Sequence, residues 1–179
     1  MRLVMLGGPG AGKGSQSLRL GKSLKIPTIS TGGILREAIS AHSSLGQQAQ
    51  PYVEKGELLP DEIMIQFMRQ RLLKTDIQRG WVLDGYPRTA FQAEELDFLL
   101  EELKQKIDWA IYLKVSETVM QERSLSRSLL DDNPNVIDRR IEAFKSQTIP
   151  IFEYYEGTKR LLTITADPSP QQVEQDILK

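Results

Sequence analysis

Apolar, β-rich runs alternate along this chain with longer stretches in which apolar residues recur at helical spacing. Arg2–Leu6, Pro27–Ser30, Trp81–Asp84, Trp109–Lys114 and Leu161–Thr165 read as strands. The periods between them predict helices over Lys13–Leu24, Gly33–Ala41, Asp61–Lys74, Ala90–Lys104, Glu117–Arg127 and Val136–Tyr155. A last helix follows Pro170, where Ser169 can cap, Pro170 can take the first turn and Gln172 stands at the capping-box position. Such alternation predicts an α/β fold: a five-stranded parallel sheet with helices on both faces. Ligands of such sheets sit at the carboxyl ends of the strands. Three notable segments lie there: the loop after Leu6, Thr31 after Ser30, and Asp84-Gly85-Tyr86-Pro87-Arg88.

Two stretches break the alternation. Residues 31–60 carry two or three short helical periods and no strand, so they predict a small lobe set on the core. Residues 128–134 make a short connection between two helices. The expected organisation is one domain over 1–179, with a core of 1–30, 61–120 and 136–179, the lobe at 31–60 and a short separate segment at about 121–135.

Charge and composition narrow the function. The chain has 23 basic and 24 acidic residues, which gives no general attraction to nucleic acid or a membrane surface. No cysteine is present, so disulfides, thiol nucleophiles and thiolate zinc sites are excluded. Met1-Arg2-Leu3 runs straight into a strand, and no apolar run nears the roughly 20 residues that span a bilayer. A cytoplasmic protein is expected.

Residues 7–15 read Gly7-Gly8-Pro9-Gly10-Ala11-Gly12-Lys13-Gly14-Ser15, directly after the apolar run Leu3–Leu6. Glycines let the backbone curl so that successive N–H groups converge on a phosphate. Lys13 adds charge, and the helix that follows adds its positive end. The pattern G-x-x-x-x-G-K-[ST] holds through Lys13, and then Gly14 replaces the hydroxyl residue that usually binds Mg²⁺. Phosphates and water are therefore expected to hold the ion, with a carboxylate touching its water shell. Asp84, at the end of an apolar strand, is the candidate. Arg36, Arg88, Arg123, Arg127 and Arg140 read together as a phosphate-binding ring, because guanidinium forks match phosphate oxygens and stay charged. Arg139 and the single histidine, His42 in a polar stretch, read as surface residues. Ile63, Met64, Phe67, Met68 and Leu72 read as core packing, as do Tyr154 and Tyr155.

These segments, in order and nearly end to end, resemble the adenylate kinase family. Gly7–Ser15 with Gln16 resembles its phosphate loop. Ile29-Ser30-Thr31-Gly32-Gly33-Ile34-Leu35-Arg36 and Gly56-Glu57-Leu58-Leu59-Pro60-Asp61-Glu62 resemble the two edges of its monophosphate lobe. Asp84-Gly85-Tyr86-Pro87-Arg88-Thr89 with Gln92 resembles its signature, with Tyr86 where Phe is common. Arg123, Arg127, Asp131-Asp132 and Arg140 resemble its lid.

The resemblance implies a P-loop three-layer sandwich with a small helical monophosphate-binding lobe and a very short lid. It implies the reaction Mg·ATP + AMP ⇌ Mg·ADP + ADP, with ATP, AMP and ADP as the partners and a monomer as the active form. By the same resemblance Gly8, Pro9, Gly10, Ala11, Gly12, Lys13, Gly14 and Ser15 would hold the ATP phosphates. Arg123 and Arg127 would join them, Arg123 also stacking on the adenine. Arg36 and Arg88 would grip the AMP phosphate. Thr31, the backbone of Glu57, Leu58 and Leu59, and Gln92 would recognise its adenine and ribose, with Gly85 and Arg140 completing the AMP set. Arg123, Arg127 and Arg140 would neutralise the transferring group. Asp84 would hold waters of Mg²⁺, with no direct protein ligand to the metal and no zinc.

The chain departs from that pattern in three places. Gly33 stands where Asp is usual, which implies weaker metal positioning with activity retained. Only Ser128-Leu129-Leu130 separate Arg127 from Asp131, too little for an inserted zinc-holding lid. Position 130 is Leu where short-lid relatives usually carry one more arginine. The competing readings are a UMP/CMP kinase, against which Thr31 and Gln92 speak, and a nucleotide-binding regulatory paralogue with impaired turnover. Glycines 32, 33, 46, 56 and 85 are candidate hinges for closure.

Overall fold

The strands form because short aliphatic runs are bounded by glycine, proline or a polar turn. In the computed structural model they are β1 (Arg2–Leu6), β2 (Thr28–Ser30), β3 (Trp81–Asp84), β4 (Trp109–Lys114) and β5 (Leu161–Thr165). The structure describes residues 1–55, 58–126 and 134–179. The strands make one parallel sheet in the order β2-β3-β1-β4-β5. Successive side chains of a strand point to opposite faces, and β1 feeds both layers. Val4 and Leu6 join one buried cluster, whereas Leu3 and Met5 join the other. Strands buried on both faces need continuous apolar runs, as in β1 and β3, whereas the edge strands β2 and β5 carry alternating polar residues, Thr28 and Ser30 in the one and Thr163 and Thr165 in the other.

The helices are α1 (Lys13–Leu24), α2 (Thr31–Ser40), α3 (Ser44–Lys55), α4 (Asp61–Leu72), α5 (Ala90–Glu102), α6 (Glu117–Ser126), α7 (Pro134–Ala143), α8 (Ile149–Gly157) and α9 (Pro170–Leu178). Phe67, Met68, Leu96, Ile151 and Tyr155 cover one face of the sheet, from α4, α5 and α8. Leu20, Met120, Ile137, Ile141 and Val173 cover the other, from α1, α6, α7 and α9. The expected three-layer α/β sandwich is present. Between β2 and β3 lie α2, α3, α4 and a short 3₁₀ turn at Thr75–Ile77.

Local chemistry sets several ends. Ser30 caps α2 by accepting from Gly33 N, so α2 starts at Thr31 and not at Gly33. Thr89 caps α5 through Gln92 N, and Ser169 caps α9 through Gln172 N. The reciprocal half of a capping box does not form at α9, because the Gln172 amide donates to Asp176 instead. The single helix expected over Val136–Tyr155 is three pieces, with a wide π turn at Phe144–Thr148 between α7 and α8. Pro150 explains it. Its ring clashes with the carbonyl four residues back and it has no N–H to donate there, so the preceding turn widens and Ile149 N bonds Phe144 O.

Gly46 is a packing contact and not a free hinge. A Cβ there would collide with the Ala38 carbonyl, so the glycine lets α3 lie directly on α2. Gly56 falls outside the described residues. Tyr155 is fully buried. Tyr154 donates to Asp97, which also takes both forks of Arg160, and this cluster ties α5 to α8 and to the start of β5.

Candidate active site

The carboxyl ends of β1 and β3 are neighbours, with Met5 beside Asp84, and Asp84 is also beside Ser30 of β2. The loop after β1 and the loop after β3 therefore open on the same edge of the sheet, at the point where the chain reverses strand order. Between them lies a cavity of about 460 Å³, lined by Pro9, Gly10, Gly12–Ser15, Asp84 and Arg123.

The loop after β1 curls through left-handed glycines, Gly10 at φ 72° and Gly12 at φ 89°. Any other residue at Gly10 would also drive its Cβ to within 2.8 Å of the Met120 carbonyl on α6. Gly12 is the N-cap of α1, whose first turn holds no acidic residue, so no acid of the helix's own offsets its positive end. Gly14 and Ser15 are exposed there. The Lys13 ammonium donates to the carbonyls of Gly7 and Gly8, at 2.8 and 3.0 Å, and so lies over the loop it serves.

Asp84 is part-buried on the opposite wall. Burial raises its pKa, and the positive charges of Lys13 and Arg88 oppose that rise. Arg88 is exposed to the open cleft, yet its guanidinium has protein on enough sides for burial to lower its pKa. Asp84 opposes this shift and Arg140 adds to it. The charges of Lys13 and Arg88 thus both act on Asp84, and that of Arg140 acts on Arg88. The Arg88 Nε donates to the Gly85 carbonyl at 3.0 Å, which curls the side chain back over its own loop. Gly85 has φ 92°, and a Cβ on it would collide with the Thr31 hydroxyl, so Thr31 and the signature loop are in contact. Here too a candidate hinge is a close approach.

The remaining expected residues fall in different places. Arg36 lies on the second turn of α2, exposed, with its guanidinium over Gly32. Arg123 lines the main cavity, but its two terminal nitrogens donate to the carbonyls of Ala166 and Asp167. It also lines an adjoining cavity of about 230 Å³, whose far wall is Ala166, Pro168, Pro170 and Val173 with Gln16. Arg123 therefore divides the two spaces and is not aimed only at the phosphate seat. Gln92 is buried, and its amide is engaged by protein: its oxygen accepts from Arg88 N at 2.8 Å and its nitrogen donates to Asp61 Oδ1 at 2.6 Å. Leu58 is exposed, and Leu59 packs on the core. Glu57, Arg127 and the pair Asp131-Asp132 lie outside the described residues.

Sequence reasoning missed Asp61 as a member of this constellation, and it missed the 166–170 wall. The second had a usable signal, since Ala166 directly follows β5 and strand carboxyl ends are where ligands sit. The first stands in the segment 56–62 likened to the lobe edge, but nothing local announces that α4 and α5 meet at their first turns, where Asp61 reaches Gln92.

A model of the family described as "Adenylate kinase" matches residues 5–160. The chain belongs to the adenylate kinase family. It is 63% identical to "Adenylate kinase 2" of Nostoc sp. over 179 residues, which are 100% of this chain and 97% of that protein. It is 59% identical to "Adenylate kinase 2" of Synechocystis sp., over 99% of this chain and 98% of that one. With "Adenylate kinase 1" of Nostoc sp. the identity is 43%, over 98% and 96% of the two chains. The adenylate kinase match spans both the loop after β1 and the loop after β3, so the residues facing the main cavity all lie within it. Among the described residues no helix is long and apolar enough to cross a membrane.

Proposed function

We propose that the chain transfers the terminal phosphoryl group of ATP to AMP, reversibly, giving two ADP. The carrying observation is the pairing of two loops at one sheet edge. The glycine loop with Lys13 and the α1 N-terminus lines a cavity that Asp84 borders, and Asp84 lies in the field of both Lys13 and Arg88. Phosphoryl transfer needs positioning and charge stabilisation more than covalent help from the protein. On this reading the amides of Gly8–Ser15 and Lys13 seat the donor phosphates. Arg36 and Arg88 hold the acceptor phosphate. Arg123, Arg127 and Arg140 neutralise the group in flight. The donor base takes the smaller cavity against Arg123, whose plane is fixed by the Ala166 and Asp167 carbonyls. Thr31, the segment Glu57–Leu59, Gly85 and Gln92 surround the acceptor nucleoside.

The residues present suit Mg²⁺ held through phosphate and water. Asp84 offers one carboxylate beside the phosphate seat, and among the described residues no group of three or more His, Cys, Asp or Glu is gathered to grip a metal ion. The ion, when bound with ATP, supplies positive charge to the phosphate oxygens. Asp84 orients water at that place. The lobe at 31–60 and the short lid at about 121–135 close over the nucleotides and exclude water, which would otherwise compete as acceptor. The enzyme acts as a cytoplasmic monomer.

A coupled assay for ADP formed from ATP with AMP, CMP or UMP as acceptor tests the reading, with Lys13→Ala as the blank. AMP is expected to be the strongly preferred acceptor. ADP formation no greater than the blank would instead mark a regulatory nucleotide-binding protein. Preference for CMP or UMP would mark a pyrimidine nucleotide kinase.

A further inference from the structure

The Gln92 amide is held at both ends by partners of opposite kind. Its oxygen takes the backbone N–H of Arg88, which can only donate. Its nitrogen gives to a carboxylate oxygen of Asp61, and an ionised carboxylate can only accept. The two ends of a carboxamide have nearly the same shape, so packing alone does not choose between them. Here a half-turn of the amide would set N–H against N–H and oxygen against carboxylate. One N–H and one oxygen lone pair remain after these two bonds. Asp61 is half-buried at the start of α4, 31 residues from Gln92 along the chain.

We infer that Asp61 is a specificity-determining positioning residue: by holding the NH₂ end of Gln92, it fixes which edge of a purine the acceptor site accepts. The inference rests on the proposed placement of Gln92 at the acceptor base. A 6-aminopurine offers an acceptor at N1 and a donor at its amine, which match the free N–H and lone pair of the locked amide. A 6-oxopurine offers a donor at N1 and an acceptor at O6, which meet the same two groups donor to donor and oxygen to oxygen. Sites built on such polar contacts discriminate strongly, because the mismatched group is left buried without a partner. To accept a 6-oxopurine the amide must turn over, against both Arg88 N–H and Asp61. Only the second of these can be changed by mutation.

The test uses the full chain, ATP as donor, and AMP or IMP as acceptor. These two acceptors differ only in the edge that Gln92 would read. Asp61→Asn keeps the shape but can donate or accept, so a turned amide loses only the Arg88 bond. It is expected to raise kcat/KM for IMP about tenfold or more, while kcat/KM for AMP falls a few fold. Asp61→Ala, which leaves water in that place, is expected to shift the ratio in the same direction. A brace that merely ties α4 to α5 predicts loss with both acceptors in equal proportion. That result, or an unchanged AMP-to-IMP ratio in both variants, overturns the inference. Gln92→Leu separates the two levels of the argument. It is expected to collapse the ratio by lowering AMP alone. If it leaves the ratio at the wild-type value, the placement of Gln92 at the base is wrong and the role of Asp61 falls with it.

Discussion

A Cβ placed on Gly14 would lie 3.4 Å from Oδ2 of Asp84 and would touch nothing else within 4 Å. The position where most such loops carry a metal-binding hydroxyl thus directly faces the carboxylate proposed to hold the metal's water. The vacancy at 14 and the acid at 84 are two sides of one small space.

Gly14→Ser is therefore expected to fold normally. It lies in the first turn of α1 without a left-handed φ, and serine is a better helix former than glycine by roughly 0.3–0.5 kcal/mol. Its hydroxyl would enter the space beside Asp84. The Mg²⁺ concentration for half-maximal activity should drop several fold. A titration that gives the wild-type midpoint would mean that water does not carry the ion here.

Asp84→Asn should trade activity for stability. Burial raises the folded pKa of Asp84 above its unfolded value, so the folded state holds the proton more tightly. Stability therefore falls as pH rises through the interval from the ordinary carboxylate range up to the raised value, and above it the charge is a standing cost. Removing that charge should raise the melting temperature by a few degrees at neutral pH, with the gain vanishing in acid. Turnover should drop about a hundredfold, as for loss of one preorganised electrostatic contact. Melting curves at pH 7 and pH 4, with kcat, check both halves.

Gly33→Asp restores the acid usual in the family. A Cβ there would meet only Ser30 atoms, at 3.7 and 3.8 Å, so it has room. A carboxylate in the first turn of α2, which has none, should stabilise the fold by about 0.3–1 kcal/mol. Ser30 pairs in register with Asp84, so the new acid lies one turn from the metal side of the cavity. Higher turnover or a lower Mg²⁺ requirement is expected. A gain in stability alone would remove position 33 from the metal argument.

Arg88→Lys keeps the charge and loses the planar fork. The KM for AMP should rise about tenfold or more while the KM for ATP changes little. An equal rise for both nucleotides would place Arg88 outside the acceptor phosphate site.

Gly85→Ala combines a left-handed φ of 92° with collision against the Thr31 hydroxyl. The expected loss is about 3 kcal/mol in denaturant unfolding, from strain and overpacking together. Gly12→Ala serves as the comparison. It shares the left-handed φ but has open space around its Cβ, so it should lose only the strain part.

Much of this protein is legible residue by residue. Four of the five strands begin and end where the apolar runs do, because each run is short and bounded by turn residues, and the three inner ones, β1, β3 and β4, are largely buried. The phosphate loop is legible because its glycines, lysine and helix start are contiguous. The split of the 136–155 helix was in principle readable too, since Pro150 acts on its own preceding turn.

The sequence by itself determined whatever arises from contacts a few residues apart: the elements, their caps and the donor loop's shape. Only the tertiary structure decided which distant groups meet. Arg123 gives its forks to carbonyls 43 and 44 residues away. Thr31 lies against Gly85, and Asp61 and Arg88 N–H pin the two ends of Gln92. Local chemistry repeats with the period of a helix or strand and leaves a pattern along the chain. A pairing across the sheet edge depends on how whole layers pack, and leaves none.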